Sequence, residues 1–186
     1  IIETILCDQR ETSVTLSQSV DYPNADGTPA TPVPTQTTAC YGVDLTSLQP
    51  SYSNVVYEWW TGSTSARTAQ ITSTTSPSVT NYTATGTVYL WAKNVSSGVY
   101  SSAGTAVTVN ALPPTPSVST TTPGNVCPAI TVNLTSIITN ASGYTVYYKT
   151  TNSSSGPDVP DPTKAVAGVY YIFFKNSSNC YNNTGV

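Results

Sequence analysis

Two stretches decide the fold. Gly86-Thr-Val-Tyr-Leu-Trp-Ala-Lys-Asn94 aligns without a gap against Gly168-Val-Tyr-Tyr-Ile-Phe-Phe-Lys-Asn176. The match extends outward in both directions. After a one-residue slip, Ser96, Ser97 and Tyr100 fall on Ser177, Ser178 and Tyr181. Upstream, 48–61 and 137–150 share one spacing, which sets Tyr57 opposite Val146, Trp59 opposite Tyr148 and Trp60 opposite Lys149. Further back, the stretch from Cys40 to Leu48 matches that from Cys127 to Ile137, with two extra residues in the second. A unit of about 80–85 residues therefore repeats. Within each unit, β-branched and aromatic runs at 55–60, 87–92, 106–109, 144–149 and 169–174, with 14–16 before them, are separated by Ser, Thr, Asn, Gly and Pro clusters. Such runs read as short strands, and no stretch has a capped 3.6-residue period. Seven or so strands in roughly 80 residues argue for an all-β, Greek-key β-sandwich.

Composition narrows the function. The chain has 186 residues, 38% hydrophobic and 10% aromatic, enough to build a core, but only 8% charged. The net charge is -3, and the six cations are scattered singly, so no basic patch for nucleic acid can be assembled. There is no His, which removes the usual general base, the commonest metal ligand and any Ser-His-Asp triad. The nine carboxylates are dispersed; Asp158 and Asp161 share a Pro-rich turn, where Asp is ordinary turn chemistry. No catalytic residue, metal site or cofactor is expected. Asp21 to Gly27 loosely resembles a calcium loop but lacks the ligand spacing, and reads as an Asp-Gly turn. No apolar run approaches the ~20 residues that cross a bilayer, so no membrane insertion by this segment is expected. The chain begins at Ile1 rather than Met, as a mature product or excised fragment would.

Pro-rich stretches punctuate the repeats at 27–34 and 112–116. The expected organisation is the C-terminal strands of a preceding repeat at 1–20, a Pro-rich linker at 21–35, one full module at 36–111 and a second at 113–186, truncated at its last strand. Short Pro-rich joints act as semi-rigid spacers.

The modules resemble immunoglobulin-like domains: Cys40 followed by Trp59 is similar to the early Cys and buried Trp, and Gly168-Val-Tyr170 to the turn and tyrosine that open a later strand. Cys180 departs from the pattern, lying ten residues past Tyr170. A nearer likeness is to the Ig-like repeats of very large Bacteroidetes cell-surface adhesins of the gliding-motility type. It is carried by Cys127-Pro-Ala129, Thr131–Ser136, Asp161-Pro-Thr163, Ala167–Tyr171, Asn176–Tyr181 and the joint Thr108–Pro116. This resemblance implies secretion, a cell-surface location, and a stalk or adhesive role beside neighbouring repeats of the same polypeptide.

Period-two alternation then assigns faces. Trp59 points into the core with Tyr57, and so do Tyr148, the repeat partner of Trp59, and Tyr170, the repeat partner of the inward-pointing Val88. Trp60, Tyr89 and Trp91 point outward, as do Tyr147, Tyr171 and Phe173. This predicts an exposed aromatic strip, able to stack on surface glycans or on other fibre chains. The alternatives to a structural, adhesive repeat are a carbohydrate-binding module using that strip and an accessory domain of a secreted enzyme. Among the four cysteines, Cys127 and Cys180 flank one module, predicting a bridge between them. Val99 stands at the match to Cys180, which leaves Cys7 as the candidate partner for Cys40.

Overall fold

The computed structural model describes residues 27–186 apart from Ser53 and Val126. The expected strands at 1–20, residues 21–26 of the expected linker and Cys7 lie outside the described residues. The chain divides into two compact units, Ile1–Val109 and Asn110–Val186. The described residues form strands and short 3₁₀ turns, with no α-helix among them. The protein is all-β.

The first unit holds five strands: β1 (Thr38–Cys40), β2 (Val55–Gly62), β3 (Arg67–Ile71), β4 (Gly86–Asn94) and β5 (Thr105–Asn110). They make one sheet in the order β1-β5-β4-β2-β3. The central antiparallel pair sets Trp59 opposite Leu90, Glu58 opposite Trp91 and Trp60 opposite Tyr89. Alternation sends Trp59, Val88, Leu90, Val107 and Val109 to one face, where all are buried. They pack with Leu45, Leu48, Ile71 and Tyr82 into one core, with Val43 and Val79 at its margin. The opposing layer is built from turns. Val43 and Tyr82 form an antiparallel bridge, and Leu45 N–H donates to Val79 C=O at 2.8 Å. Asp44 caps the 3₁₀ turn Leu45–Leu48 by accepting from the Thr46 N–H at 2.9 Å, which aims both leucines inward.

The second unit contains the antiparallel pair β6 (Thr145–Lys149) and β7 (Tyr171–Lys175). Its pairing scheme matches that of the first unit residue for residue. Tyr148 faces Ile172, Tyr147 faces Phe173 and Lys149 faces Tyr171, the positions aligned with Trp59–Leu90, Glu58–Trp91 and Trp60–Tyr89. The capped turn recurs at Leu134–Ile137, where Asn133 accepts from the Thr135 N–H at 2.9 Å. The strand exits also correspond: Lys93 bridges to Tyr100, and Lys175 to Tyr181. Just beyond, Ser101 Oγ accepts from the Ala92 N–H, while Asn182 Oδ1 accepts from the Phe174 N–H. The buried apolar side chains here are Leu134, Val159, Ala165, Ile172, Phe173 and Phe174, with Tyr144 stacked on Phe174 at 5.2 Å.

The Pro-rich stretches expected to act as semi-rigid spacers carry hydrogen bonds inside the units. Pro29, Pro32 and Pro34 are buried, and the Asn94 side-chain amide donates to Gly27 C=O at 3.1 Å. In the second unit Asn176 donates to Ala111 C=O at 2.8 Å, and Pro113 and Pro116 are buried. Both asparagines also organise the turn that follows their strand, accepting from Ser96 and Ser97 N–H in one case and Ser178 and Cys180 N–H in the other. Residues 27–35 are thus packed against the unit: Pro29, Pro32 and Pro34 bury their rings, and the Gly27 and Pro32 carbonyls accept from the Asn94 and Thr105 side chains.

Trp59 is 1% exposed and lies at the centre of the first core, so Trp59→Ala should cost about 3–5 kcal/mol through lost burial and an unfilled cavity. Val56→Ala, on the same strand but on the half-exposed outer face, should cost under about 1 kcal/mol. Urea titration followed by far-ultraviolet circular dichroism measures both, and equal losses would contradict the register.

Candidate functional site

The outer face of the first sheet gathers the charged and aromatic side chains that the core excludes. Glu58 and Trp60 project from β2, and Tyr89, Trp91 and Lys93 from β4. Glu58 is the hub. Its carboxylate accepts from Tyr100 Oη at 2.7 Å, from Trp60 Nε1 at 3.2 Å and from Lys93 Nζ at 3.4 Å. Side-chain exposure of 15% for Glu58 makes these charge-assisted bonds partly sheltered from water.

Arg67 closes the face from β3. Its guanidinium lies 3.3 Å from the Tyr100 ring centroid, 5.1 Å from Trp91 and 5.5 Å from Trp60. A planar cation over several aromatic faces is favourable, and more so where water is partly excluded. The turn that brings Arg67 into place depends on Gly62, whose φ of +129° sits at an irregularity in the β2–β3 pairing. A Cβ there would lie 2.2 Å from the Ala66 carbonyl oxygen, so no other residue fits.

Trp91 is therefore not part of an exposed strip. It is 4% exposed, covered by Arg67 and by the backbone of Gly104, where a Cβ would fall 2.4 Å from Trp91 Nε1. That indole nitrogen finds no hydrogen-bond partner among the described residues. Trp60 and Tyr89 are half-buried. The prediction from alternation named the correct face but missed that the chain after Tyr100 folds back across it.

The second unit corrects the expectation in the same way. Phe173, placed on the surface by its alignment with Trp91, is 1% exposed, and Gly185 stands against it as Gly104 stands against Trp91. Tyr147 and Tyr171 are half-buried, as are Tyr148 and Tyr170, which were assigned to the core. Tyr170 Oη donates back to the Val166 carbonyl at 3.0 Å, which draws its polar tip toward the surface. Different chemistry fills the outer face here. Lys149, in the place of Trp60, pairs with Asp158 at 2.7 Å, and the Tyr147 and Tyr181 rings meet edge-on at 5.3 Å beneath Lys175.

The cysteines depart from expectation as well. Cys127 is a free, exposed thiol, so the bridge predicted between Cys127 and Cys180 is absent. Cys40 and Cys180 are each disulfide-bonded, and Cys180 is fully buried. Cys127 sits in an exposed turn, whereas Cys180 is buried just past the exit of β7. Among the described residues no group of three or more His, Cys, Asp and Glu side chains is placed to hold a metal ion, and no helix is long and apolar enough to cross a membrane.

Arg67 and Tyr100 are the functional-looking residues that sequence reading passed over. Tyr100 carried a signal, its alignment with Tyr181. Arg67 carried none, since its strand is polar and no aligned cation stands in the second unit. No family model, curated protein or solved structure matches this chain.

Two groups in the network titrate at high pH. Hydrogen bonding to Tyr100, then the charge of Glu58, raises the Lys93 pKa. Burial, then the bond to Glu58, raises that of Tyr100. Both folded-state values lie above the unfolded ones, so the stabilisation is complete below about pH 10 and is lost as pH climbs through the folded values. Wild-type protein should melt above Glu58→Gln at pH 8, and that margin should shrink as pH rises above about 10. Melting curves that stay parallel across this range would contradict the assignment. Separately, Gly104→Ala should destabilise by about 1–3 kcal/mol through collision with Trp91, read by the same melts.

Proposed function

We propose that this chain comprises consecutive immunoglobulin-like β-sandwich repeats of a long secreted fibre or adhesin at a cell surface, where it serves attachment or gliding motility. The observation that carries the reading is the recurrence, in two units of one chain, of the same strand register, the same Asx-capped turn and the same Asn-to-Pro-segment tie. Repetition of one unit along a chain is how solenoids and fibres gain length, each unit adding its own stability. The sheet order β1-β5-β4-β2-β3 supports an immunoglobulin-like layout. Disulfide-bonded Cys40 and Cys180 are compatible with an extracellular setting. The resemblance of 127–181 to surface-adhesin repeats supports the location.

The outer-face networks favour this mechanical role over a sugar platform. Stacking on a glycan ring needs an open aromatic plane, and Trp91 and Phe173 are covered while Arg67 occupies the space over Trp60. Internally closed cation–π and ion-pair contacts instead tie neighbouring strands together.

Single-molecule stretching of the chain between reference domains, with the disulfides reduced, tests the proposal. Two separate rupture events are expected, each releasing roughly 25 nm of chain. Smooth extension without rupture would argue against a load-bearing repeat.

A further inference from the structure

The inner face of the first sheet is not filled to its end. Between the Pro-rich segment and the start of β2 lies an open cavity of about 110 Å³, walled by Pro29, Pro32, Tyr52, Val55, Tyr57 and Ala92. The second unit has the same frame. The Asn94 tie to Gly27 and the Asn176 tie to Ala111 set Pro29 and Pro32 in register with Pro113 and Pro116, and all four prolines are buried. The gapless alignments set Ala92 in register with Phe174, and Val55 with Tyr144.

The units differ in what occupies that frame. In the second, Phe174 is fully buried and Tyr144 stacks on it, with ring centroids 5.2 Å apart and planes 8° from parallel. In the first, a methyl group and an isopropyl group stand where those two rings are. The loss is compensated only in part. Tyr57 and Tyr52 replace Val146 and Ala141, and their rings, 6.4 Å apart and tilted by 55°, wall the space without closing it. Packed interiors leave few voids larger than a water molecule. An apolar cavity of roughly 150 Å³ takes benzene; this one is smaller but open, so a ring can enter with its edge outside.

We infer that this cavity is an anchor pocket for the phenyl ring of a phenylalanine presented by a partner polypeptide. Three observations select that occupant. A ring stack holds the equivalent place in the second unit, and the Tyr52 and Tyr57 rings offer edge-to-face contact to a third ring. The volume is below the ~300–1,000 Å³ of pockets that enclose a whole small molecule, so one ring enters and the rest of the ligand stays outside. At the mouth, Val33 and Tyr52 are 71% and 41% exposed, leaving apolar surface for the residues that flank the ring. No charged residue lines the cavity, which suits a neutral guest. An aromatic anchor inside a rim that excludes water is the usual form of an interface hot spot. The site does not depend on the fibre role proposed above.

The test uses the full chain, methyl-labelled at alanine and valine, titrated with N-acetylphenylalaninamide and followed by nuclear magnetic resonance. The Ala92 and Val55 methyl signals should shift saturably, with half-saturation at about 1–10 mM, while those of Val146 and Ala165 stay in place. N-acetylleucinamide should bind roughly two- to tenfold more weakly, because it lacks the ring contacts. Ala92→Phe, which installs the ring of the second unit, should abolish the shift at Val55. Tyr52→Ala, which removes a wall at the exposed mouth, should weaken binding by about threefold or more. If Ala92→Phe fails to fold, Tyr52→Ala decides the mutational arm, and unchanged affinity in it would overturn the proposal. Absence of any shift at tens of millimolar would also overturn it, as would equal binding of the leucine amide. Shifts produced by toluene but not by the phenylalanine amide would replace the partner side chain with a free small aromatic compound.

Discussion

Everything in the first unit hangs on the alternation of side chains across the β2–β4 pair. Trp59 and Leu90 face one way, Glu58 and Trp91 the other, and a slip of one residue would exchange the two sets. The inward set is dominated by apolar surface, with the Trp59 indole nitrogen buried in it, and closes on Leu45, Leu48 and Tyr82. The outward set holds a carboxylate, a cation and three aromatic rings, which no core would accept unpaired. Burial of the first set fixes the register, and the register in turn brings Glu58 within reach of Trp60, Tyr100 and Lys93. Packing thereby positions the polar network, and the network adds directional bonds on the face that packing leaves open.

The second unit keeps the geometry and changes the chemistry. Where Trp60 lies under Arg67 in one unit, Lys149 pairs with Asp158 in the other. Where Glu58 joins Tyr100, Tyr147 meets Tyr181. What persists is backbone: the register, the capped 3₁₀ turn, the asparagine at the strand exit and the glycine that lets the returning chain lie on a large ring. A slot that tolerates such exchange while retaining its geometry behaves as a seam between strands. A binding site tuned to one ligand would hold its side chains constant and its plane open.

Legibility in the sequence followed the physics of each element. The strands at 55–62, 86–94, 105–110 and 145–149 were readable because they alternate and are rich in Val, Tyr and Trp. Gapless alignment of 86–94 with 168–176 located both central pairs, and the structure assigns them equivalent partners. β1 and β3 were not readable. Three residues carry no period, and Arg67-Thr-Ala-Gln-Ile71 is an exposed edge whose strand character comes from pairing with β2. The buried state of Trp91 and Phe173 was hidden for a related reason. Alternation tells which face a side chain takes, while the cover over that face comes from chain return at Gly104 and Gly185, a tertiary event. Pro-rich 27–35 misled because composition reports stiffness and says nothing of docking.

The central claim is that the outer face of the first sheet is a closed seam, with Trp91 sealed beneath Gly104 and Arg67. The most direct test is a nuclear Overhauser measurement on the chain with ¹⁵N-labelled tryptophan. The account predicts strong cross-peaks from the Trp91 indole Nε1 proton to the Gly104 α-protons, together with slow exchange of that indole proton. A Trp91 indole that exchanges freely with solvent and shows no contact to Gly104 would contradict it, and would restore the open aromatic strip.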